Sequence, residues 1–65
     1  MIDIEKLSPA DIGRWVTYCI RPPATERGRI KSWSQKFIYV VFHCGGNWDH
    51  YADYTAAPTL PEHLE

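Results

Sequence analysis

Gly28-Arg29-Ile30-Lys31-Ser32-Trp33-Ser34-Gln35-Lys36-Phe37-Ile38-Tyr39-Val40-Val41-Phe42-His43 is the stretch on which the fold turns. Arg29 and Lys31 flank Ile30, an alternation that marks a half-buried strand, and Gly28 opens it. Ser32 to Lys36 is polar but lacks Asn-Gly or Asp-Gly, so a turn is inferred from the return of apolar residues after it. Phe37 to His43 is apolar on both faces, the pattern of a central strand covered in part on both sides. Two strands joined by a tight turn form a hairpin, and the remaining pieces attach to its edges.

Upstream, Ser8-Pro9-Ala10-Asp11 carries a helix start: Ser as N-cap, Pro at the first helical position, and an acid three residues after the cap. Gly13 follows where a left-handed residue would end the helix, so a single turn is expected. Residues 1–7 read as an extended or loosely ordered lead-in to a single domain spanning 8–64. From Arg14 to Ile20 the chain alternates, with Val16, Tyr18 and Ile20 on one face and Trp15, Thr17 and Cys19 on the other. Arg21 to Arg27 reads as a loop, because Pro22 and Pro23 cannot donate to a ladder.

Downstream, Cys44-Gly45-Gly46-Asn47 is the strongest turn signal in the chain. Trp48, Ala52 and Tyr54 then alternate with Asp49 and Asp53, which predicts a fourth strand, although His50 and Tyr51 spoil the alternation. A short strand near Tyr54 to Ala57 and a helical turn over Thr59 to Leu64 close the chain. Leu64-Glu65 matches a dipeptide that commonly precedes an appended His tag and is set aside from functional reasoning. The expected fold is all-β: a small barrel of about five short strands with one-turn helices at either end.

Three runs carry a family resemblance: Gly13-Arg14-Trp15-Val16-Thr17-Tyr18, then Gly28-Arg29-Ile30-Lys31-Ser32-Trp33, then Phe37-Ile38-Tyr39-Val40-Val41-Phe42. They resemble the opening of SH3-like barrels of the Tudor and KOW kind: a "G-x-x-V" strand, a "G-x-I" strand and a hydrophobic third strand. The tail from Thr55 through Pro61-Glu62-His63-Leu64 is similar to the final strand and helical turn of such barrels. "GRIKSW" and the "W-D-x-Y/F-x-D-Y-T" segment also resemble small proteins of phages and bacteria. A Tudor domain would imply an aromatic cage for methylated Lys or Arg, and a KOW domain RNA or transcription-factor contacts. The chain lacks the longer Gly-rich, basic motif of the KOW group, and the fold itself carries little functional weight.

With 65 residues there is room for one small core, reinforced by three Trp, four Tyr and two Phe. No run approaches the ~20 apolar residues that span a bilayer, and the start is not that of a signal peptide. The expectation is a cytoplasmic protein without membrane contact, with Cys19 and Cys44 as free thiols. Net charge is −1, but it is unevenly spread. Residues 1–36 hold all seven Lys and Arg against four acids, net +3, and residues 37–65 hold Asp49, Asp53, Glu62 and Glu65, net −4.

So many aromatics cannot all fit inside a barrel this small. The plain reading makes most of them core; the sharper one builds a shallow groove from Trp33, Trp48 and Tyr51, with Asp49 and Asp53 favouring a cationic ligand. Arg29 and Lys31 share an outward strand face, which with Lys36 is either a solvated surface or a track for single-stranded nucleic acid. The metal candidates are His43, Cys44, His50 and His63, with Cys19 a distant fifth; no Cys-x2-Cys pair exists, and adjacent His43 and Cys44 point to opposite faces, so they do not easily share one ion. Cys44 with His43 or His50 is the one available nucleophile–base pair, and nothing suggests an orienting third residue. The expectation is a non-enzymatic binding module without metal or cofactor. Its first-choice partner is a protein or peptide, with nucleic acid as the alternative and self-association as a third reading.

Overall fold

The hairpin lies at the centre of an antiparallel sheet. A computed structural model describes residues 1–21 and 24–65 (of 20 and 21 the backbone alone). In it β2 (Ala24–Trp33) and β3 (Ile38–Val41) run between β1 (Trp15–Arg21) and β4 (Ala57–Thr59), in the order β1-β2-β3-β4. The protein is therefore all-β apart from short 3-10 turns. The hairpin turn is built by Ser34 rather than by glycine. Its N–H donates to Phe37 O at 2.8 Å, and its hydroxyl oxygen accepts from the N–H groups of Phe37 and Lys36 at 3.2 and 3.3 Å.

β2 reaches further back than expected. Thr25, Glu26 and Arg27, assigned from sequence to a loop, pair with Cys19, Tyr18 and Thr17 of β1. A proline removes a ladder bond only at its own position, so the strand recovers as soon as ordinary residues resume. Pro22 and Pro23, on which the loop expectation rested, lie outside the described residues.

Period-two alternation gives the sheet two different faces. The registers Val16↔Gly28, Ile30↔Val40 and Trp33↔Ile38 define the inner face, and Trp15↔Arg29↔Val41 the outer one. Ile2, Val16, Ile30, Ile38, Val40 and Leu64 form the inner core, with Tyr18, Trp33 and Phe42 packed against it. Residues 1–7 are thus not a loose lead-in. Ile2 is buried and its N–H donates to Pro61 O at 3.1 Å, while a 3-10 turn, η1 (Ile4–Lys6), sets Ile4 and Leu7 on the core. Burial of Ile2, Ile4 and Leu7 outweighs the polar residues between them.

The helix start at Ser8 is present as η2 (Pro9–Asp11), where the Asp11 carboxylate accepts from the Ser8 N–H at 2.9 Å and Gly13 follows at φ +88°. Gly45 and Gly46, at φ +58° and +85°, make the expected turn after β3. The predicted strand over Trp48 to Tyr54 is absent. Those residues form η3 (Trp48–Asp53), a kinked 3-10 segment with local bonds from His50 N to Asn47 O and from Tyr54 N to Tyr51 O. Trp48 and Tyr51 lie on either side of the kink at His50. The alternation of Trp48 with Asp49 mimicked a strand; His50 and Tyr51, which spoiled it, were the better signal.

β4 pairs with β3 through Ile38↔Thr59, Tyr39↔Pro58 and Val40↔Ala57. A last turn, η4 (Pro61–His63), then carries the chain back to β1. Leu64 is fully buried and bridges Tyr18, and Glu65 exchanges both backbone hydrogen bonds with Thr17, at 2.8 and 2.9 Å. The dipeptide set aside from sequence is part of the core and of the hydrogen-bonded frame. Among the described residues no helix is long and apolar enough to cross a membrane.

Candidate functional site

The inner core is uncovered at one end. Tyr18 of β1, Phe37 and Phe42 on either side of β3, Pro58 of β4, Leu60 and His63 line a cleft of about 390 Å3. Its rings are set at angles to one another rather than stacked flat. The Tyr18 and Phe42 centroids are 5.7 Å apart at 53°, and the Tyr18 and His63 rings 5.8 Å apart at 68°. Among the described residues no carboxylate or ammonium lines it. Glu26, directly across the ladder from Tyr18, is turned to His43, with Nε2 and Oε1 2.7 Å apart. Pro58 has no N–H, so the β4 side of the cleft presents an apolar ring where a strand would present a donor.

The outer face is covered by η3. Val41 is fully buried although its ladder partner is Arg29, because the segment after β3 folds back across this face. Trp48 packs on Trp15, with centroids 4.8 Å apart, and Tyr51 lies against the Arg29 guanidinium at 4.4 Å. Arg29 Nε donates to Gly13 O at 2.8 Å and Nη1 to Trp48 O at 2.9 Å, tying η2, β2 and η3 together. Lys31 Nζ donates to Tyr54 O at 3.0 Å at the far end of the same segment. Cations are thus the clasps of this layer, capping carbonyls that a short 3-10 segment leaves unpaired.

The sequence-predicted residues separate accordingly. Trp48 and Tyr51 come together on the outer face, whereas Trp33 packs on the inner core across the sheet, so the three do not share a groove. Arg29 and Lys31 do point outward, as the alternation required, but both are engaged with backbone carbonyls rather than free as a basic track. Lys36 sits in the exposed hairpin turn beside Phe37, and Asp49 and Asp53 are exposed on η3. Cys44 is buried and Cys19 half-buried, both unbonded thiols, and His50 is exposed.

Sequence reasoning missed the cleft. Tyr18 and Phe42 occupy inward positions and read as core; only the register shows that the inner face ends beside them. Pro58 and His63 lie in a tail read for closure, His63 also among the metal candidates, though an aromatic and a proline in that tail are a weak hint of a lined surface. Compared with protein-family models, curated proteins and solved structures, the chain matches none.

Proposed function

We propose that the chain is a non-enzymatic binding module, an SH3-like barrel that docks an extended apolar peptide of a protein partner in the Tyr18–Phe42–His63 cleft. The barrel reading is supported by the pairing of Glu65 with Thr17, which joins the end of the chain to the free edge of β1. The observation that carries the binding reading is the cleft itself. At about 390 Å3 it falls within the range of roughly 300–1,000 Å3 typical of ligand sites, and its walls are aromatic and apolar. Angled rings with Pro58 at the rim form slots for flat, rigid side chains. A polyproline-type segment fits such slots because its backbone is already extended and loses little freedom on docking.

The test is fluorescence anisotropy of a labelled oligoproline peptide, with a glycine–serine peptide of equal length as control. Saturable binding of the first alone is expected, weakened at least about tenfold by Phe37→Ala, which removes one wall. No saturation up to millimolar protein overturns the reading.

A further inference from the structure

The outer face contains a feature that the cleft does not use: two guanidiniums on one indole. The Arg27 and Arg29 Cζ atoms lie 4.8 and 5.3 Å from the Trp15 ring centroid. The ion pairs among the described residues are Arg14 with Asp11 and His43 with Glu26, so neither guanidinium has an acidic partner there. Arg29 is half-buried and directs two donors to carbonyls. Arg27 is exposed and, among the described residues, donates to no protein acceptor. A guanidinium lying on a ring keeps the N–H donors of its edge free, in a fork that matches phosphate oxygens. Thr17, opposite Arg27 in the ladder, adds a hydroxyl to the same face. Trp15 itself is 40% exposed, one of few large apolar side chains left so open.

We propose that this is a site for single-stranded nucleic acid, in which Arg27 holds a backbone phosphate, Arg29 supplies charge behind it, and a base stacks on the open part of Trp15. An acidic peptide would satisfy Arg27 but leave in water the part of the indole that Trp48 and the guanidiniums do not cover. A nucleotide brings an anion and a flat ring at neighbouring positions, which is what the pair presents. The site is local: the chain as a whole is net −1, so it contacts one or two nucleotides instead of a long track. It is separate from the peptide cleft, which lies on the inner face.

The test is anisotropy of a labelled short oligothymidylate against the full chain at about 20 and about 200 mM salt. One phosphate contact on a single strand gives a log–log slope of about −0.7, so binding should weaken roughly fivefold over that range. Arg27→Gln should weaken it at least about fivefold through lost phosphate contact and stacking support, with an unchanged circular dichroism spectrum. Lys36→Gln, which removes an equal charge at the distant turn, should leave it unchanged. No binding at the lower salt overturns the proposal, as does an equal loss from both substitutions. Competition by an oligoglutamate peptide as strong as that by unlabelled oligothymidylate would also overturn it, since the site would then recognise anions alone.

Discussion

Gly28 shows how much a single hydrogen atom decides in this sheet. A Cβ there would lie 2.6 Å from Val40 Cγ1, 2.7 Å from the Val41 carbonyl oxygen and 2.9 Å from Phe42 Cδ1. Replacing glycine by alanine normally stabilises by about 0.4–1 kcal/mol through the unfolded chain. Overpacking against a neighbouring strand's backbone costs about 1–3 kcal/mol, so the clash wins. Gly28→Ala should therefore lower the urea midpoint at unchanged slope, and a raised midpoint would show that the strands separate freely. In the sequence Gly28 reads as the opening of a strand, whereas it lies inside β2. Its reason for being glycine is a contact with residues 12 to 14 positions away, which no local pattern contains.

At the scale of elements, η3 is held to the sheet by side chains rather than by a ladder. Hydrogen bonds to charged groups contribute about 1.5–3 kcal/mol each, and Arg29 makes two to segments far apart in sequence. Arg29→Lys keeps the charge but loses the planar fork, so the Trp48–Asp53 segment should loosen while β2 and β3 persist. Faster amide exchange at His50 and Tyr54 with unchanged protection at Ile30 and Val40 is the expected result; no change at His50 and Tyr54 would contradict the clasp. Lys31→Met, which frees one carbonyl, should have a smaller effect at Tyr54 alone. The strands of the hairpin were legible because the alternation at Arg29-Ile30-Lys31 and the continuous apolar run from Phe37 are strong signals, and η2 because Ser8, Pro9 and Asp11 each act locally. The η3 segment was not. Its conformation depends on Arg29, Lys31 and Trp15, and the alternation of Trp48 and Asp49 suits a strand as well as a 3-10 turn.

Over the whole molecule, the two chain ends complete the core. Ile2, Pro61 and Leu64 meet beneath the sheet, and Leu64 and Glu65 pair with β1. A chain of this length has roughly 3–10 kcal/mol of stability in all. Leu64→Ala, which empties a fully buried site, should remove about 2–5 kcal/mol of it, measured by chemical denaturation. A loss below about 0.5 kcal/mol, as at a surface position, would mean that the end of the chain does not close the core. The all-β class followed from composition and alternation. The cleft did not, because it is the space left where the inner face ends, and that depends on the pairing of all four strands. The central claim is that this space, and not the aromatic layer on the opposite face, receives the peptide. The most direct measurement is a map of amide chemical-shift changes when the 15N-labelled protein is titrated with oligoproline. Tyr18, Phe42, Thr59 and His63 should move while Trp15, Arg27 and Trp48 stay in place. Shifts confined to Trp15, Arg27 and Trp48, or no shifts at all, would contradict it.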